Sequence, residues 1–550
     1  MSAQKMGKRW ALIVGTRPNL PATELIADWI WLVGEPTRRW QDPEGGINLI
    51  DGFMMDAAHT PLLGEGRLDP TATGYGNFAY LRIDLERGVV EAWADACESR
   101  NLYYAVVAGR LILSNDLPLL LETSGDRRVD DQSLFGYLKF GYLNVNHHTL
   151  FAGVLKLKAC ERLTASLTAL HPKVGHYWKP ALGGTRLTRE EAIDAVEANL
   201  AGFFKGAMEL MRRPLTTLTC GTDSNLFYYV LEKHVRRLRS LTHAFDHVDY
   251  DEFRLIEQAR MVSPENMKII SYDDVLAYLS EAIGAIGLPI NGLASMGEWK
   301  VYRQAHSLEA DALITGVGDY IWVPVTQAKM DEIVASENLA YAGDGTLLAP
   351  TSYLSPDFHG EHAETAIPFY SLGLATDSKL KRHLLDQVFI KRTPHIASDH
   401  SALGNAFGLE CLQPFVEKRT VEFCLGLDDD CLFFDDQPKS LLVTLLRRFH
   451  GARFPKGLKM NTPQRELIRT TYRPAIEQII AESRLAQAGY IDKARLLTLF
   501  RDYLGQVDLG NSYFIWKFVV CEIWYRTMIL EAPFDLYPDY ACSPQITAKV

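Results

Sequence analysis

At 550 residues the chain exceeds what one hydrophobic core usually supports, so at least two domains are expected. Hydrophobic residues at 47% and charged residues at 23% exclude a disordered or fibrous chain. A formal net charge of −11 excludes a phosphate-backbone-binding face as the main feature, and basic runs such as Arg236-Arg237-Leu238-Arg239 read as solvated helix ends.

The eight cysteines form neither CxxC pairs nor zinc spacing, so a reducing compartment fits them best. No apolar run reaches the roughly 18 residues of a membrane span, and no signal-peptide core precedes Pro18. The expectation is a soluble cytoplasmic protein with neither nucleic-acid nor membrane partners.

Residues 1–183 read as short β-rich runs separated by Gly, Pro, Asn and Asp, for example Phe78 to Ile83 and Leu102 to Val107. Turn formers from Pro180 through Gly183-Gly184 suggest a linker. A helix start then follows, with Thr188 as N-cap and Glu191 three residues on. The division is therefore drawn as 1–183 and 184–550.

Beyond it the texture changes to alternating strands and helices. Strands are expected at Leu215–Leu218, Ser240–Phe245, Met267–Ile270 and Ala312–Thr315, with helical patterns from Glu190 to Met211 and from Asn225 to Leu231. That alternation predicts an α/β doubly wound parallel sheet, and after about residue 325 the pattern is mainly helical.

The sharpest local signal is Leu218-Thr219-Cys220-Gly221-Thr222-Asp223-Ser224, between a strand and a helix. A helix N-terminus offers backbone donors to phosphate oxygens, Gly221 lets the backbone come close, and Thr219 and Ser224 add hydroxyls. Asp223 would repel a phosphate unless a cation such as Mg²⁺ lay between them. The same residues also fit a plain turn in which Thr219 and Ser224 satisfy backbone donors and Asp223 caps the helix.

The loop resembles the Ser-Gly-Gly-x-Asp-Ser pyrophosphate loop of the asparagine-synthetase superfamily, with Thr219 for Ser and Cys220 for the first Gly. Other segments follow in the family's order. Phe245 through Asp251-Glu252 is similar to its second strand and helix, and Ala310 through Gly316-Val317-Gly318-Asp319 to its second Gly-rich loop, here one residue short. Gly408 through Glu417 resembles the family's Gly-x-Glu-x-Arg-x-Pro-Phe stretch, and Lys439 and Lys459 stand where two family lysines are expected.

The resemblance implies an amino-terminal layered β-rich glutaminase-like (Ntn-type) domain followed by an ATP-pyrophosphatase synthetase domain with a helical end. It implies ATP as substrate with Mg²⁺ held by Asp223 and Asp319. The loop residues Leu218 to Ser224, Phe245, Gly316 and Gly318 would hold ATP and pyrophosphate, while Lys459 and Lys439 would face phosphate and oxyanion charge.

Two departures shape the functional expectation. A working glutaminase uses an N-terminal cysteine, whereas this chain has Ser2 and its first cysteine is Cys97. Without ammonia made in the chain, the amine must belong to a small-molecule or peptide substrate that also carries the carboxylate, as in the β-lactam synthetases and lasso-peptide cyclases of natural-product biosynthesis. Secondly, Val317 occupies the place of a family Glu or Tyr and cannot ionise; Asp399, with His400 beside it, is the candidate base. A glutamine- or ammonia-using asparagine synthetase and a non-catalytic ATP-binding homologue are the alternatives, and the assembly is left open with a homodimer among the options.

Overall fold

The structure is a computed structural model that describes residues 9–18, 20–21, 23–64, 66–141, 143, 145–244, 252–258, 266–270, 275–290, 292–335, 351–363, 368–450, 462–505 and 512–533. Phe245 and Lys459 lie outside the described residues.

Among the described residues the amino-terminal part holds twelve strands: β1 Trp10–Val14, β2 Thr23–Ala27, β3 Ile30–Gly34, β4 Arg38–Gln41, β5 Ile47–Met55, β6 Tyr75–Asp84, β7 Val89–Ala94, β8 Tyr103–Val107, β9 Arg110–Ser114, β10 Val154–Lys156, β11 Glu161–Ser166 and β12 Lys173–His176. They form two six-stranded sheets, ordered β10-β8-β9-β1-β3-β2 and β12-β11-β7-β6-β5-β4. Every pairing within them is antiparallel.

Period-two alternation decides which side chain goes where. Leu12 lies opposite both Leu32 and Leu113, and all three sit in one buried cluster with Leu81, Ile83, Val90 and Leu163 of the other sheet. The intervening Ala11 and Ile13 face the opposite way, packing with Leu120 and Phe135 of the helices Leu117–Ser124 and Asp131–Phe140. Each fully buried aliphatic side chain in these layers contributes roughly 1.5–3 kcal/mol over leaving it in water.

Helix Arg189–Leu210 begins with a full capping box: Thr188 Oγ1 accepts from the Glu191 N–H, and the Glu191 carboxylate accepts from the Thr188 N–H. Five parallel strands follow among the described residues, β13 Pro214–Thr217, β14 Ser240–Ala244, β15 Asn266–Ile270, β16 Ala312–Ile314 and β17 Glu410–Leu412. Their spatial order is β15-β14-β13-β16-β17, with all pairings parallel. The chain order reverses direction between β13 and β16, and at such a switch point the loops leaving the two strands splay apart and leave a crevice.

The two parts meet through buried polar contacts. Arg100 pairs with Glu410 at 2.6 Å, both nearly inaccessible to solvent. Asn77 and Gln413 exchange two hydrogen bonds, Asn101 pairs with Ser398, and Gly76 N donates to Glu417. The Gly408–Glu417 stretch thus supplies the edge strand β17 and also the carboxylates that dock the amino-terminal part. No helix among the described residues is long and apolar enough to cross a membrane, and the seven described cysteines are buried and free.

Candidate active site

The loop leaving β13 runs Leu218-Thr219-Cys220-Gly221 into helix Thr222–His234, and the loop leaving β16 runs Thr315-Gly316-Val317-Gly318 into a short 3₁₀ turn, Asp319–Trp322. Both open at the carboxyl ends of adjacent strands, on the two sides of the switch point.

The first loop is held by its own side chains. Thr219 N donates to Ser224 Oγ at 3.0 Å, the two hydroxyls are 2.9 Å apart, and Gly221 N donates to Thr219 Oγ1 at 3.0 Å. Asn225 Nδ2 bridges the Thr219 and Gly221 carbonyls at 2.6 and 2.7 Å. Sequence reasoning missed Asn225, although it directly follows the motif. Cys220 replaces glycine without crowding the loop because its side chain turns into a small cluster with Leu218, Tyr228 and Ile256.

Gly221 is the N-cap of the helix and has no side-chain cap hydrogen bond. The helix-capping alternative for Asp223 is therefore corrected: Asp223 lies within the first turn, and its charge goes elsewhere. A Cβ added at Gly316 would stand 3.2 Å from Asp223 Cβ, so glycine there lets the two loops come together. Gly318 is required twice over, with φ +95 and a hypothetical Cβ only 2.4 Å from Val416.

Lys439 joins the two loops. Its Nζ lies 2.5 Å from Asp223 Oδ2 and 2.8 Å from Asp319 Oδ2. The residue precedes helix Ser440–His450 with φ +56, anchored by its N–H to Val323 O at 2.9 Å. Burial opposes the ammonium, but the two carboxylates outweigh it and hold its pKa above the ordinary lysine value. Burial raises the Asp223 pKa, and the Asp319 charge adds to that while Lys439 opposes both.

The second oxygen of Asp223, Oδ1, is buried and has no hydrogen-bond partner among the described residues. An unsatisfied buried carboxylate oxygen is costly unless something external completes it. Two carboxylates with free acceptor capacity beside a helix N-terminus fit Mg²⁺, which commonly takes one or two protein carboxylates and completes its shell with water and substrate phosphates. Among the described residues no group of three or more metal-ligating side chains exists that would make a self-sufficient cage.

The structure therefore brings Thr219, Gly221, Asp223, Ser224, Gly316, Gly318, Asp319 and Lys439 together. Val317 is buried among apolar side chains and contributes no polar group. Asp399 lies in the buried middle of helix Arg392–Phe407. Burial raises its pKa to about 7 against the opposing charge of Lys156. His400 Nδ1 is 3.0 Å from the Tyr302 hydroxyl, in a buried network that includes Cys411.

A family model described as asparagine synthase matches residues 205–526, more than half of the chain. The chain belongs to the asparagine synthase family. That membership carries ATP-dependent, AMP-forming amide ligation in general, with ATP as a substrate.

No curated protein matches this asparagine synthase family chain. Solved structures similar to it include the following two. One is described as the allosteric regulatory enzyme of purine biosynthesis, at 10% identity over 48% of this chain and 75% of that one, with a TM-score of 0.20. The other is the glutamine phosphoribosylpyrophosphate amidotransferase from B. subtilis complexed with ADP and GMP, at 9% identity, the same coverages and a TM-score of 0.19.

Proposed function

We propose that this chain adenylates a carboxylate of its substrate and closes an amide with an amine of the same molecule, as a β-lactam synthetase or lasso-peptide cyclase does. In this reading residues 1–183 are a degenerate, Ntn-type glutaminase-like domain and residues 184–550 the synthetase domain. The observation that carries it is the Asp223–Lys439–Asp319 arrangement at the switch point, with Asp223 Oδ1 buried and without a hydrogen-bond partner among the described residues.

Asp223 and Asp319 would hold Mg²⁺, which when bound supplies charge neutralisation for the pyrophosphate leaving group. The N–H groups opening helix Thr222–His234 favour negative charge at the loop. Lys439, kept protonated by its carboxylate neighbours, stands ready to donate to phosphate oxygens as ATP replaces one of those partners. Lys459 would stabilise charge developing on the acyl group. Asp399 is the assigned residue suited to proton transfer, since a pKa of about 7 leaves it shared between acid and base near neutrality.

Holding acid and amine in one cavity converts the second step into an intramolecular one, a gain of roughly 7–11 kcal/mol in favourable cases. A non-catalytic reading draws on a different observation: the hydroxyls of Thr219 and Ser224 and the N–H of Gly221 are already satisfied within the loop.

Mixing the protein with ATP, Mg²⁺ and amino-acid or peptide substrates, then following pyrophosphate and product mass, separates the readings. The cyclase reading expects pyrophosphate release and a product lighter than its substrate by one water, without glutamine or ammonia. Strict dependence on glutamine or ammonia would replace it with asparagine synthesis, and ATP binding without pyrophosphate release across the panel would leave only the non-catalytic homologue.

A further inference from the structure

At the opposite ends of the same strands lies a cavity of about 240 Å³. Arg212 and Arg213 precede β13, and Arg236, Arg237 and Arg239 precede β14; all five line the cavity. Parallel pairing of the two strands brings them together, because Thr216 lies opposite Ser240 and both runs therefore enter the sheet from the same side. As the sequence suggested, Arg236, Arg237 and Arg239 are exposed just after the end of helix Thr222–His234; Leu238 between them is buried.

Local acids offset only part of this charge. Glu309 pairs with Arg213 at 2.7 Å, and Glu232 stands 3.9 Å from Arg237. The Asp311 carboxylate accepts from the backbone N–H groups of Arg212 and Arg213. Among the described residues the Arg212 and Arg236 side chains form no ion pair, and Arg236 reaches only the Arg212 carbonyl at 3.4 Å. A chain of net charge −11 thus concentrates cationic forks around one concave site, the arrangement that recognises phosphate in a bidentate manner.

We propose that this cavity is a second anion site, separate from the catalytic loop, which takes a phosphate group either free or carried as a phosphomonoester. It sits at the amino end of β13, whose carboxyl end leads into the Asp223 loop, so the two sites lie at opposite ends of that strand.

Calorimetric titration of the full chain at low ionic strength tests this, with inorganic phosphate and AMP as probes. The wild type should bind at least one of them at the cavity. Arg212→Ala/Arg236→Ala should weaken that binding by at least about tenfold, and Arg212→Lys/Arg236→Lys should lie between, since lysine keeps the charge and loses the fork. Lys439→Ala should leave it unchanged. Tighter AMP binding would point to a phosphomonoester and equal or tighter phosphate binding to the free ion. Absence of binding, affinity unchanged in both arginine variants, or loss with Lys439→Ala instead would overturn the proposal. Both arginines are exposed, so unaltered melting temperatures are expected throughout.

Discussion

Asp95 in the amino-terminal sandwich and Asp223 in the parallel-sheet part are both buried carboxylates, yet they are built for different purposes. Asp95 Oδ1 accepts from the N–H groups of Cys97 and Ser99 at 3.0 and 2.9 Å. Its Oδ2 accepts from Phe78 N at 2.9 Å and from the Ser99 hydroxyl. Burial raises its pKa to about 6, against the pull of those four donors. Asp223 has one oxygen on Lys439 and the other on nothing among the described residues. A carboxylate with all its acceptor sites used serves the fold; one left half-satisfied beside a second carboxylate and a lysine has acceptor capacity to spare, which the proposed function assigns to a ligand.

The largest effect expected from this contrast is on stability. Asp95→Ala would strand the buried N–H groups of Phe78, Cys97 and Ser99, each worth about 1–3 kcal/mol when left without an acceptor. Denaturation should show a loss of about 3 kcal/mol or more, and a loss near zero would remove Asp95 from its structural role. Asp223→Asn should do the reverse. Pyrophosphate release should fall by about 10²–10³-fold with the melting temperature unchanged or slightly raised, because a poorly satisfied buried charge has been removed. Retained activity would dismiss the carboxylate's assigned role.

Asp399 sharpens the comparison through pH. Its folded pKa of about 7 lies above the ordinary aspartate value, so the folded state binds the proton more tightly than the unfolded state does. Its ionisation penalty grows as pH rises from about 4 to about 7 and is complete above that. Asp399→Asn should therefore raise the melting temperature most at pH 8, with the advantage shrinking towards pH 4. An advantage independent of pH would show that this carboxyl is not perturbed. The smallest change is Thr188→Ala, which removes a helix N-cap and should cost about 1 kcal/mol with no effect on pyrophosphate release.

Local signals in the sequence located much of this. Thr188 and Glu191 mark a helix start because the capping box is a contact between residues three apart. The four expected parallel strands appear within a residue or so of their boundaries because apolar runs flanked by turn formers have few other uses. β17 escaped notice, since its place at the sheet edge depends on pairing with β16, about a hundred positions earlier. Glu410 read as part of a site motif; its partner Arg100 belongs to the other half of the chain, and no local pattern links them.

The sequence alone determined the strand–loop–helix character of the Leu218–Ser224 segment, the layered β texture before it and the order of the family's segments, because each depends on neighbours within a few residues. Only the tertiary structure decided that Lys439 bridges Asp223 and Asp319, that Gly316 is small because Asp223 approaches it, and that two distant arginine runs enclose one cavity. Those facts depend on which strands lie side by side, and parallel strands are joined through long crossovers whose ends carry no short-range mark of where they will meet.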